Sequence, residues 1–190
     1  MNGAVLVLLV IALVCEAGLA AMLAWSIAMP ERRLWPPRRV TLVSQFLIWP
    51  PTVVIFVSAF LLGLADWNRF DWPATLRWGV GLPLVVAGNI IVWRAVFGIG
   101  IEATSGAIDH LKTDGLYRWS RNPQYVADMM ILVGWVILSA SGWALPVVLG
   151  GVGVLALAPF AEEPWLRRTY GDPYDAYKHR TARYLGWPER

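Results

Sequence analysis

Over residues 5–28 only Cys15, Glu16 and Ser26 interrupt an apolar run of 24 residues. Wound as a helix, such a run rises roughly 36 Å, enough to cross the hydrocarbon of a bilayer. A helix also satisfies its own backbone donors and acceptors, which hydrocarbon demands of any segment inside it. No basic stretch precedes the run, and it is longer than the apolar core of a signal peptide, so it reads as a retained span. Composition points the same way: 57% of the 190 residues are hydrophobic, 15% are charged and 12 are Trp, with mean hydropathy +0.53. These values place the chain among integral membrane proteins.

Four further apolar runs follow. A basic turn at residues 30–39, with Arg32, Arg33, Arg38 and Arg39 around Pro36-Pro37, leads into a second span over about residues 40–65. Pro50-Pro51 inside that span remove two backbone donors and are expected to kink it. Residues 66–77, with Trp67, Trp72 and Pro73, read as an interfacial loop. The third span, about residues 78–97, carries Asn89 and Arg94, and residues 98–120 form the longest polar connection. Spans four and five, about 123–140 and 143–161, are joined only by Ser141-Gly142 and so form a tight helical hairpin. The expected architecture is therefore an all-α polytopic bundle of about five spans, with residues 1–190 as one membrane domain.

The formal net charge of +3 does not mark a nucleic-acid binder, because the basic residues lie scattered at span ends, where anionic headgroups meet them. With five spans, one side receives residues 30–39, 98–121 and the tail, carrying four, three and six Lys+Arg, whereas the other side has Arg69 and Arg77. The positive-inside rule then makes the first side cytoplasmic. The single cysteine, Cys15, excludes an internal disulfide framework and a Cys-rich metal site.

Two clusters on the basic side carry candidate chemistry. The first is D-G-L-Y-R-W-S-R-N-P-Q-Y-V-A-D, Asp114 to Asp128, a polar and aromatic knot that opens onto the fourth span. Pro123 suits the first turn of that helix and Asn122 its N-cap, which sets Arg118, Arg121, Asn122 and Tyr125 at headgroup depth. Asp128 lies about one and a half turns further in, where an uncompensated charge is costly; it is expected to face a substrate cavity and bias acceptor choice. The second cluster is Glu162-Glu163, followed by Tyr170, Tyr174 and Tyr177. Paired carboxylates at the end of a span repel each other and lose hydration, so they call for a compensating cation: Arg121, Arg167 or a cationic ligand.

Leu111-x-Thr113-x-Gly115-x-Tyr117 before Arg121-Asn122-Pro123-x-Tyr125, with Glu162-Glu163-x-x-Leu166 and Tyr170-Gly171-x-x-Tyr174-x-x-Tyr177 behind, resembles the signature of the isoprenylcysteine carboxyl methyltransferase and phospholipid methyltransferase superfamily. The resemblance covers about residues 98–184, so residues 98–190 would be the methyltransferase-like core and 1–97 the N-terminal spans. It implies S-adenosylmethionine held between the knot and the glutamate pair, and a lipophilic or lipid acceptor entering from the bilayer. It also implies a bacterial-type enzyme of the inner, cytoplasmic membrane. Carried over by position, Gly115 and Tyr117 would line the cofactor; Arg121, Asn122, Pro123 and Tyr125 would shape its pocket; and Glu162 or Glu163 would take its amino group. Gly98-Ile99-Gly100 is a weaker contact. Asn122 stands where many members have His, and Ala127-Asp128 where Gly is common.

Methyl transfer from a sulfonium is an in-line displacement that needs positioning and exclusion of water, with no metal. A carboxylate or thiolate acceptor arrives nucleophilic, whereas an ammonium must first lose a proton to a base. Bland readings stand beside these. Arg118 and Arg121 suit plain positive-inside anchors, Trp25, Trp35, Trp49, Trp67 and Trp72 suit an interfacial belt, and the glutamates suit capping of a helix starting at Pro164. Glu16 reads as an interior polar group paired with Asn89 or Arg94, and His110 and His179 as surface residues. Two other functions compete: an NADPH-dependent sterol-type reductase sharing the Arg-x-Pro-x-Tyr corner, and a non-enzymatic membrane subunit.

Overall fold

The computed structural model describes residues 3–99 and 111–187. Among the described residues every regular element is helical: α1 (Gly3–Ala28), α2 (Leu42–Ala65), a short α3 (Ala74–Leu76), α4 (Leu82–Ile99), α5 (Pro123–Ser139), α6 (Ala144–Tyr170) and α7 (Asp172–Arg180). α3 runs through five residues of π-helix, Arg77–Gly81, directly into α4, giving one continuous rod over Ala74–Phe97. α1, α2, this rod and α6 are each long and apolar enough to cross a membrane. α5 is apolar but only 17 residues long. It rises roughly 26 Å, at the short end of what a span needs. Where about five spans were expected, the described residues thus give four long apolar helices and one short one.

Local chemistry sets the helix ends. Thr41 and Ser44 open α2 with a reciprocal capping box: the Thr41 hydroxyl accepts the Ser44 N–H at 3.2 Å, and the Ser44 hydroxyl accepts the Thr41 N–H at 2.9 Å. α2 then continues unbroken through Pro50 and Pro51, and the Thr52 hydroxyl donates to the Ile48 carbonyl at 2.7 Å beside them. At the opposite end of the bundle Asp66 accepts the backbone N–H groups of Gly142 and Trp143 at 2.9 and 3.2 Å. A carboxylate from the end of α2 therefore caps α6 and fixes the tight α5–α6 turn. Nearby, buried Arg77 donates to the Leu138 carbonyl at 2.9 Å near the C-terminus of α5, with its guanidinium 4.8 Å above the Trp67 ring.

The α4–α5 contact rests on missing side chains. A Cβ on Gly88 would stand 2.7 Å from the Ala127 carbonyl oxygen, one on Gly81 2.6 Å from the Leu138 nitrogen, and one on Gly134 2.8 Å from Leu84. Backbones this close are how small residues hold helices together where lipid offers no hydrophobic drive. α1, α2, α5 and α6 enclose the core, centred on Ala12, Leu19, Ile55, Leu62, Leu132 and Val147.

Three expectations change here. Glu16 is buried against Gly150 and Gly151 of α6 rather than paired with Asn89 or Arg94, because two glycines leave the room its carboxylate fills. Asn89 instead donates to the Val85 carbonyl of its own helix at 2.8 Å, and Arg94 is exposed. Finally, α6 runs on nine residues past position 161, straight through Pro164, so the glutamates lie inside a helix and do not cap a new one.

Candidate active site

The basic turn, the knot and the tail converge at one end of the bundle. The tail after α7 doubles back along the knot: Arg121 N–H donates to the Ala182 carbonyl at 2.9 Å, and Gly186 N–H to the Trp119 carbonyl at 3.0 Å. Asn122 stands at the N-cap position with Pro123 at N1, but its side chain makes no cap. Its amide donates instead to the Arg183 carbonyl at 3.0 Å, so it ties the knot to the tail. The Tyr177 hydroxyl donates to the Tyr117 carbonyl at 2.7 Å and secures the knot from α7. Gly115 opens the 3-10 turn Gly115–Arg118 at φ 58, a left-handed backbone where glycine carries no Cβ penalty.

Successive helical residues point about 100° apart, and the two glutamates use that divergence. Glu163 is gripped by cations. Arg183 binds it with Nε and Nη2 at 2.7 and 2.9 Å, Arg121 Nη2 lies at 3.1 Å and Lys178 Nζ at 3.9 Å. The Arg183 guanidinium also lies 3.9 Å from the Phe160 ring centroid. Arg121 is nearly buried, its Nη1 donates to the Tyr174 hydroxyl at 3.4 Å, and its Nε has no partner among the described residues. Arg167, the other expected cation, pairs with Asp175 at 3.0 Å instead.

Among the described residues the donors to Glu162 are neutral. Trp35 Nε1 reaches its Oε1 at 2.7 Å and the Tyr125 hydroxyl donates to the same oxygen. Trp35 is thus no belt residue: it is buried, and the Ser26 hydroxyl holds its backbone N–H at 3.0 Å. Tyr125 and Trp35 also wall a cavity of about 110 Å³ between α1, α2, α5 and α6. Its lining is mostly aliphatic, with Thr52, Gln124 and Asp128 as polar members. Asp128 follows Tyr125 by three residues and so shares its face of α5.

The structure therefore brings Arg121 onto Glu163, and Tyr125 onto Glu162 with Asp128 close by. Gly115 is exposed, Tyr117 is half-buried on the flank, and Arg118 and His179 are exposed. Burial first, and then the charge of Glu162, raise the Tyr117 hydroxyl above its ordinary pKa. Gly100 and His110 lie outside the described residues. Sequence reasoning missed Trp35 and Arg183. The only signal for Trp35 was its place inside the basic turn, against Pro36, rather than at a span end. For Arg183 it was an arginine directly before Tyr184 in a tail that carries five arginines.

Comparison with known proteins adds one match. The family model described as phospholipid methyltransferase matches residues 76–173, more than half of the chain. It begins at the rod that carries α4 and stops at the start of α7, before Arg183. No curated protein and no solved structure matches the chain.

Proposed function

Starting from a chain that belongs to the phospholipid methyltransferase family, and is thereby a membrane methyltransferase, we propose that it transfers the methyl group of S-adenosylmethionine to an acceptor dissolved in the bilayer. The observation that carries the cofactor is the unequal pair of glutamates. Glu163 is already neutralised by Arg121, Arg183 and Lys178. Glu162 has no cation in reach of a salt bridge among the described residues, and its donors Trp35 and Tyr125 both reach the same oxygen, Oε1. A carboxylate held by two neutral donors that themselves wall a cavity fits the cationic amino group of this cofactor.

When bound, the cofactor supplies an electrophilic methyl on a sulfonium. Glu162 would hold its ammonium, Trp35 and Tyr125 would keep that carboxylate aimed, and Gly115, Tyr117, Asn122 and Pro123 would close the pocket from the knot. Arg121 would act from behind, by holding Glu163 and the tail. The cavity would take the reacting end of the acceptor, a phospholipid amine, an isoprenylcysteine carboxylate or a thiol, and its aliphatic lining would keep water out. Asp128 would accept the proton of an ammonium acceptor. The loop charges support an active site facing the cytoplasm, as in an inner-membrane enzyme. A nicotinamide dinucleotide finds less here, since the cations that its phosphates require are committed to Glu163.

Calorimetry on the purified protein tests this reading. S-adenosylmethionine and S-adenosylhomocysteine should bind, and NADPH should not. Glu162→Gln should weaken the first by about 10- to 100-fold, the range for a hydrogen bond to a charged group. Asp128→Asn should alter turnover or acceptor preference at nearly unchanged cofactor affinity. Binding of NADPH, or equal S-adenosylmethionine affinity in Glu162→Gln and the unsubstituted protein, would overturn the assignment.

A further inference from the structure

Among the described residues α4 packs on α5 and on the π-helical turn that leads into it, and its opposite face is exposed. That face carries Leu82, Val86, Asn89, Trp93 and Phe97, all exposed. The spacing 82, 86, 89, 93 alternates four and three residues, the seam of a left-handed helix pair. Asn89 stands in its middle, eight residues before Phe97 and so about 12 Å from that end, well within the hydrocarbon. Its amide spends one N–H on Val85 and finds no further partner among the described residues. The other described amides lie in a loop (Asn68), at an N-cap (Asn122) or in the first turn of a helix (Gln45, Gln124).

An amide facing lipid leaves hydrogen-bonding groups unsatisfied, and polar residues in spans turn toward protein for that reason. We infer that α4 is the interface of a parallel homodimer, with Asn89 of each copy bonded to Asn89 of the other. Two copies insert with the same orientation, so about a two-fold axis along the membrane normal each residue of α4 meets its own counterpart at equal depth. A carboxylate or guanidinium would repel itself there, whereas an amide both donates and accepts and so complements itself. A single Asn in an apolar seam fixes register in the same way. Arg94 lies about 140° around the helix from Asn89 and near its end, clear of the seam. Gly88 of α4 and Gly81 of the π-helical turn face α5, so the two contacts of this helix do not compete for one surface.

Full-length protein in native membranes, with Cys15→Ser as background, tests the interface. Under mild oxidation Val86→Cys should give a disulfide-linked species of twice the monomer mass, and Leu149→Cys, 64% exposed on α6, should not. Native mass spectrometry of the unsubstituted chain should show the dimer. Asn89→Leu should lower the dimer fraction about three- to tenfold, the scale of hydrogen bonds between membrane helices, and Asn89→Gln should restore it. A monomeric unsubstituted chain, a dimer indifferent to Asn89→Leu, or a Val86→Cys adduct with a different polypeptide would each overturn the inference. Should Val86→Cys fail to accumulate, the native mass of the unsubstituted chain and of Asn89→Leu decides.

Discussion

Glu162 and Glu163 are neighbours in sequence and opposites in environment, and that opposition is the chemical content of the site. One carboxylate is consumed by the fold and holds the tail to the knot through Arg183 and Arg121. The other is held by an indole and a phenol that themselves wall a cavity. Tyr174 belongs to the first group. It is 2% exposed, and burial above all, followed by the negative charge of Glu163, pushes its pKa up to about 12. Because the folded state favours the neutral phenol, the contribution of Tyr174 is complete below its ordinary value near 10. It is lost as pH rises from there toward about 12. Thermal unfolding in micelles should therefore show a melting temperature that falls across this window, and the fall should be shallower in Tyr174→Phe. Identical slopes in the two proteins would remove Tyr174 from the alkaline transition.

Among the elements, the α4–α5 pair shows how composition becomes geometry. Gly81 and Gly88 repeat at seven residues on one helix, Ala127 and Gly134 at seven on the other, so matching small faces meet along two turns. Gly88→Ala would press a methyl onto the Ala127 carbonyl, a backbone atom that cannot swing away. A loss of about 1–3 kcal/mol is expected, as for other overpacked contacts. Gly153→Ala on α6, where a Cβ would meet nothing within 4 Å, should be neutral or slightly stabilising, since alanine is the better helix former. Comparing the two melts separates close packing from helix propensity; equal effects would refute the packing account. The same contact places Asp128, one residue after Ala127, on the side of α5 that looks into the cavity.

At the scale of the whole molecule, charge sorts the two ends. The end built from the basic turn, the knot and the tail is cross-linked by Glu31–Arg168, Trp35–Glu162 and Arg183–Glu163. Asp66, Arg69 and Arg77 belong to the opposite end. In a Cys15→Ser background, Arg38→Cys and Lys112→Cys should be labelled by an impermeant maleimide only from the cytoplasmic side, and Arg69→Cys only from the other. Labelling of Lys112→Cys from outside would contradict the orientation and remove access to a cytosolic cofactor.

Membrane class, helical architecture, approximate span positions and the family were legible in the residues, because each is written locally. Apolar run length reports the bilayer, and the Arg-Asn-Pro-x-Tyr and Glu-Glu blocks keep their spacing wherever the chain goes. The candidate site was legible only in part. Tyr125, Glu162, Glu163 and Arg121 stood out by type, but no local pattern tells which carboxylate meets cations and which meets neutral donors. That depends on where the tail returns and on how residues 30–39 fold over α6. Trp35 lies 127 positions from Glu162 and reaches it only once α1 and α6 pack. The length of α6 was hidden for a related reason. Pro164 reads as a breaker in isolation, whereas in the bundle the helix continues through it, with Glu163 on its last turns fixed by Arg121 and Arg183. Local sequence thus determined what each segment is, and tertiary structure decided which carboxylate met cations and which met neutral donors, because ion pairing is a property of distances that no single segment contains.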